Sequence, residues 1–240
     1  MGGGVKGQTM AARHMTPPAS YDDATSPALL GRRCLLATSL LLGVPFGAAA
    51  QTARPEFAAL AVELQRGGHV IVVRHGATHA NQADLAPLNP EGPGLQRQLN
   101  DKGRDAAKAF GAALKTIAVP VGKTYTSRFN RAFETAILAG LAVAEKSTDI
   151  TEGGLVVSPI ENARRAAALK KLVETPPAAG TTVIVVTHKP NIIDALGKDW
   201  FEVREGEASI FRPQQGDGTV LVARVLIEEW PAIAAAAVRR

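Results

Sequence analysis

Cysteine is almost absent from the 240 residues: the single thiol is Cys34, inside a leader that reads as removable. What remains has no disulfide framework, and thiolate catalysis and cysteine metal sites are excluded from it. Aromatic side chains make up only 5% of the chain, and Trp200 and Trp230 are expected to anchor packing rather than to bind ligand. Neither sign of charge dominates, with 27 basic against 22 acidic residues. The first fifty residues hold four of the basic and two of the acidic ones, which leaves 23 against 20 in residues 51–240. That evenly spread excess argues against a nucleic-acid partner. Internal repeats and long linkers are also missing after residue 51. A hydrophobic content of 46% with 20% charged residues suits one core of ordinary size.

The leader has its own grammar. Arg32-Arg33 precedes the apolar run Cys34 to Val44, and Phe46-Gly47-Ala48-Ala49-Ala50 supplies small residues suited to cleavage after Ala50. The blocks occur in the order of a twin-arginine export signal. The run is about half of the roughly 20 residues that span a bilayer, so no stable membrane anchor is expected after cleavage. Cys34 stands before the apolar core, which disfavours lipid attachment. Residues 1–50 are therefore read as leader, residues 51–240 as one domain, and the periplasm as its location.

Within the domain, helices and strands alternate. A helix over 56–66 leads through Gly67-Gly68 into Val70-Ile71-Val72-Val73, a continuous apolar run of the buried parallel-strand type. Asn100 is suited to cap a helix carrying Ala106, Ala107, Phe110, Ala113 and Leu114 at helical spacing. A strand over 122–127, a helix over 131–141, an edge strand over 154–157, a helix over 161–173 and a buried strand over 182–186 follow. Residues 208–212 and 220–225 read as a terminal hairpin. The pattern predicts an α/β protein, a three-layer α/β/α sandwich around a mostly parallel sheet.

Such sheets bind ligands at the carboxyl ends of their strands. Three of those ends carry phosphate-competent residues: Val73 leads to Arg74-His75, Ser127 to Arg131, and Thr187 to His188-Lys189. A phosphate monoester bears about two negative charges, which arginine's planar fork binds bidentately. A neutral imidazole can attack phosphorus and pass the phosphoryl group on to water, splitting one hard step into two. His75 and His79 are four apart, as in zinc helices, but they follow a strand and flank Gly76. No metal and no organic cofactor is expected. His79 reads as a loop or substrate contact, and His69 as a strand-start residue without a role.

Arg74-His75-Gly76-Ala77-Thr78 resembles the signature of the histidine phosphatase superfamily, the phosphoglycerate mutase-like fold. Leu99-Asn100-Asp101-Lys102-Gly103 resembles that family's helix-opening element. Ser127 to Ala136 resembles its Ser-x-x-x-Arg-Ala-x-x-Thr-Ala element, and Val185-Val186-Thr187-His188 its late histidine element. The resemblance implies that His75 is the phosphorylated nucleophile and that Arg74, Arg131 and His188 complete the phosphate pocket. It also implies that Asn81 touches the phosphate. Ala77 and Ala80 replace the glutamate and tryptophan of mutases and argue against mutase activity.

The family motifs leave the proton donor open. Asp149, Glu152 and Glu161 fall between the second arginine and the late histidine, and Glu161 is preferred because it opens a helix just after a strand. Glu207 is the second choice. Thr78, Arg97 and Lys189 are candidate substrate contacts, and Arg164, Arg165, Lys170 and Lys171 a solvated helix face. The expected activity is hydrolysis of phosphate monoesters or phosphohistidine through a phosphohistidine intermediate. The expected partner is a phosphorylated small molecule or a phosphorylated envelope component. A non-catalytic phospholigand-binding protein is the alternative.

Overall fold

The computed structural model describes residues 55–89, 92–142, 144–153, 157–214, 216 and 218–239. The leader, with its export and cleavage readings, lies outside them. Helix α1 (Pro55–Gln65) turns into strand β1 (Val70–Arg74) through Gly67 and Gly68, at φ 68° and 79°. Both glycines adopt left-handed backbone that other residues resist. A Cβ at Gly67 would also stand 2.6 Å from the carbonyl carbon of Gly180.

Helix α2 (Asp101–Ile117) starts where Asn100 accepts a hydrogen bond from the Gly103 amide at 2.8 Å, as its cap role predicts. Strand β2 (Val121–Ser127), helix α3 (Asn130–Leu138) and strand β3 (Ala144–Ser147) follow. The chain continues with helix α4 (Pro159–Glu174), strand β4 (Thr182–Thr187), helix α5 (Lys189–Leu196), the pair β5 (Ala208–Pro213) and β6 (Thr219–Val225), and helix α6 (Trp230–Val238).

The six strands form one sheet in the order β3-β2-β4-β1-β5-β6. The first four are parallel, and β5 and β6 run antiparallel as the expected hairpin. Layers α1, α2, α3 and α6 cover one face, and α4 and α5 the other. Strand β1 shows why its run is apolar throughout: Ile71 and Val73 join the first core with Phe110, Ile184 and Trp230, while Val70 and Val72 join the second with Leu169, Val185 and Ile192. Phe110 and Trp230 meet edge to face at 4.9 Å, and truncating such an aromatic typically costs about 3–5 kcal/mol.

Three elements escape the sequence reading. The edge strand is β3, a polar Ala-Glu-Lys-Ser run; of the expected edge strand at 154–157, residues 154–156 lie outside the described set and Val157 is in a bend. Helices α5 and α6 were not anticipated. One is only eight residues long, and the alanine-rich other lacks polar periodicity. Among the described residues no helix is long and apolar enough to cross a membrane.

Candidate active site

Strands β2, β4 and β1 are neighbours in the sheet, so their carboxyl ends bring Arg131, His188, Arg74 and His75 together. The loop after β1 lies against the first turn of α2. A Cβ at Gly76 would stand 2.9 Å from the Gly103 carbonyl oxygen, and one at Gly103 would stand 2.1 Å from that of Ala77. Only glycines allow this approach. The loop is tied further by the Asn100 amide to Thr78 O at 2.9 Å and by Gly76 N to the Thr135 hydroxyl at 3.0 Å.

His75 is 2% exposed, and its Nδ1 lies 2.8 Å from the carbonyl oxygen of Gly76. A carbonyl only accepts, so Nδ1 carries the proton and Nε2 the lone pair. Burial first, then the Arg131 guanidinium, hold the ring well below the usual histidine range. His75 is therefore neutral. His188, whose ring centre is 5.1 Å away, is fully buried and is held low by the same two causes. Its Nε2 meets the Ser127 hydroxyl at 2.6 Å, while the Ser127 oxygen accepts from the Phe129 amide. With the hydroxyl hydrogen given to Nε2, the His188 proton sits on Nδ1, 3.6 Å from Glu152 Oε2.

The arginines are engaged on one side and open on another. Arg74 Nη1 donates to Val203 O at 2.8 Å, and Nη2 lies 3.6 Å from Glu205. Arg131 is wholly buried, stacks 4.5 Å over the Phe129 ring, and donates to Asp84 and Glu152. The Nε atoms of both arginines and Nδ1 of His188 are buried without a hydrogen-bond partner. Three unsatisfied donors at one sheet edge suit an oxyanion.

Beside them a pocket of about 450 Å³ is lined by Arg74, His75, Arg97, Glu152, Lys189 and Asp194, with Pro190 and Ile193. Arg97 is close enough for its charge to depress both histidines and Arg74. Lys189 rests 4.8 Å over the exposed Phe201 ring. Among the described residues no group of three or more His, Cys, Asp or Glu is placed to hold a metal ion.

The structure separates the other expected site residues from the pocket. Glu161 does open α4, but its carboxylate spans Arg164 and Arg165 at 2.8 Å each. Those hydrogen bonds hold it down to about 2, so it cannot carry a proton near neutral pH. It acts one step back: Arg165, expected on a solvated face, is buried and reaches from Glu161 to the Thr151 carbonyl. Glu207 is also locked away, accepting from Arg224 and from the Arg204 amide.

Asn81 is exposed and outside the lining. Thr78 is buried with its hydroxyl given to Glu205 at 2.8 Å. His69, read as having no role, pairs with Glu63 at 3.1 Å. Of the three candidate donors between Arg131 and His188, Glu152 is the one that lines the pocket, and burial, the largest cause, with help from Asp84, raises its carboxyl against the pull of Arg131 and Arg97. In the sequence Glu152 is one of three candidate acids, with Asp149 and Glu161, in that interval. Asp84 and Glu205 carried no signal beyond their residue type.

A neutral imidazole, arginine donors and a carboxyl whose proton affinity is raised by burial stand together at a parallel-sheet edge, an arrangement suited to handling a phosphoryl group. The sequence profile of the histidine phosphatase superfamily (branch 1) matches residues 70–153. That match covers about a third of the chain, from β1 to Gly153, and it supports the superfamily and a phosphatase chemistry. No curated protein matches the chain. Among solved structures it is similar to the protein histidine phosphatase SixA complexed with tungstate, at 18% identity over 67% of this chain and 98% of that one, TM-score 0.47. It is also similar to the mycobacterial glucosyl-3-phosphoglycerate phosphatase Rv2419c, at 17% over 65% and 98%, TM-score 0.47. A phosphoserine phosphatase from Entamoeba histolytica matches at 16% over 65% and 95%, TM-score 0.44.

Proposed function

We propose that this chain is a periplasmic phosphatase that hydrolyses phosphate monoesters, or phosphohistidine, through a phosphohistidine at His75. One observation carries the reading: the buried His75 ring gives its only proton to Gly76 O, which leaves the Nε2 lone pair in a residue that lines a cationic pocket. The leader order of Arg32-Arg33, apolar run and small residues supports export.

In the first step His75 Nε2 forms a bond to phosphorus as the ester P–O bond breaks. Glu152 gives its proton to the departing oxygen. The donors of Arg74, Arg131 and His188 hold the phosphoryl oxygens, and Arg97 and Lys189 add positive charge toward the substrate. In the second step Glu152, now a carboxylate, takes a proton from water as the water oxygen attacks phosphorus. The P–N bond breaks, and phosphate and neutral His75 are released.

Rapid acid-free quenching of the enzyme with an aryl phosphate should trap an acid-labile, base-stable phosphohistidine that maps to His75. His75→Ala should abolish turnover while inorganic phosphate still binds. An adduct on another residue, or binding without any phosphoenzyme in the wild type, would replace this reading with another nucleophile or with the binding-protein alternative.

A further inference from the structure

The fork of Arg131 is divided between two acids. Nη1 donates to Asp84 Oδ1 at 2.9 Å, and Nη2 donates to Glu152 Oε1. Asp84 lies in the loop between β1 and α2 and is held in place because the same Oδ1 accepts from the Arg97 amide at 2.9 Å. Both carboxylates are about one-fifth exposed, whereas the arginine between them is wholly buried. A guanidinium facing a single carboxylate lends it the whole attraction and keeps it ionised. One shared by two mutually repelling carboxylates holds each less firmly.

We propose that Asp84 is a positioning residue for the reaction: by occupying one nitrogen of the Arg131 fork, it leaves Glu152 able to hold the proton that the leaving oxygen requires. The proposal rests on the reading of Glu152 as the acid. Of the other groups that face Glu152, all but Asp194 press the opposite way or are neutral. Arg74, Arg97 and Lys189 are cationic, and Arg165 approaches from α4 through the Thr151 carbonyl. His75 and His188 are held neutral by burial. Asp194, on α5, is the one other acid in the pocket lining. Asp84 is thus the carboxylate placed on the same guanidinium as Glu152, and its effect on Glu152 has the sign that proton storage needs.

Asp84→Asn isolates the charge, because the amide oxygen can still accept from Arg131 and from the Arg97 amide. Turnover of an alkyl phosphate, whose leaving oxygen needs a proton, is compared with that of an aryl phosphate, whose leaving oxygen does not, across pH. In Asp84→Asn the alkaline limb of the alkyl-ester kcat profile should move to lower pH by about one unit, so that the alkyl-to-aryl ratio on that limb falls about tenfold. Asp84→Glu should restore the limb. The carboxyl carbon shift of Glu152, followed by NMR against pH, gives the same comparison without turnover, and in Asp84→Glu as well should Asp84→Asn fold poorly.

A limb that superposes on the wild type, or an equal loss for both esters, overturns the proposal. So does tighter inhibition by inorganic phosphate with no shift of the limb, which would make Asp84 a competitor for the clamp. Glu152→Gln separates this failure from that of the underlying reading. If its alkyl-to-aryl ratio matches the wild type, Glu152 is not the acid and both ideas fall. If its ratio collapses while Asp84→Asn shifts nothing, only the role of Asp84 is lost.

Discussion

Acid should destabilise this fold through its buried imidazoles, and His75 with His188 sets the size of the effect. In the folded chain burial, reinforced by Arg131, holds both rings well below the usual value of 6.5. In the unfolded chain both regain water and titrate near 6.5. Below that pH the unfolded chain binds two protons that the folded chain refuses. Stability therefore rises with pH through this window and is lost as the pH falls from 6.5 toward the folded values. While a ring stays neutral in the fold, its contribution changes by about 1.4 kcal/mol per pH unit, so the pair changes stability by about 3. That is a large share of the roughly 5–15 kcal/mol of an ordinary domain.

His69, also lowered by burial, acts in the same direction. Glu152 opposes them: its raised carboxyl lets the folded chain keep a proton above 4.5 that the unfolded chain has lost. It sets one proton against two or more. The assay is urea unfolding at several pH values from 7.5 to 5, comparing the wild type with His75→Asn combined with His188→Gln, whose amides take the places of Nδ1 and Nε2. Every other titrating group cancels in the difference to first order. The wild type should lose about 3 kcal/mol per unit relative to the variant below pH 6.5. Parallel curves would refute the claim that these rings are neutral in the fold.

Two further outcomes test the supporting architecture. Glu161→Gln should slow alkyl and aryl esters by the same factor, because it loosens Arg165 and the Thr151 carbonyl rather than removing a proton; a selective loss on alkyl esters would return Glu161 to the role of acid. Gly103→Ala should lower stability by about 1–3 kcal/mol and weaken phosphate binding, since the new methyl would stand 2.1 Å from the Ala77 carbonyl and push the nucleophile loop off α2. Unchanged melting and phosphate affinity would show that the close approach is not needed.

Much of the fold was legible because buried parallel strands and amphipathic helices write themselves as period and run. Val70 to Val73 and Val183 to Val186 are apolar on successive residues because both faces are covered. Strand β3 was illegible for the opposite reason: as an edge strand with Glu145 and Lys146 both exposed it carries no apolar run. The convergence of Arg74, His75, Arg131 and His188 was equally legible, since each stands at a strand end or within four residues of one. The carboxylates were not, for they come from loops, where no period constrains them. Glu161 misled because a helix start looks like an active-site position. Its neighbours Arg164 and Arg165, three and four residues on, lie on the same helix face, and that spacing already pointed to an intrahelical pair.

What those carboxylates do together follows from charge. Arg74, Arg97 and Lys189 line one pocket with Arg131 buried behind Glu152, and like charges so placed repel unless shared out. Glu205 takes up part of Arg74, while Asp84 and Glu152 take up Arg131. A phosphoryl dianion entering beside them adds two negative charges to a region that already holds two carboxylates on one guanidinium. The least costly response is for one carboxyl to take a proton, and burial with Asp84 singles out Glu152 as that one. On the proposed mechanism substrate binding would then load the acid: the dianion that needs a proton on its leaving oxygen would raise the affinity of Glu152 for that proton. When phosphate leaves, the same coupling reverses and the carboxyl can release its proton for the next cycle.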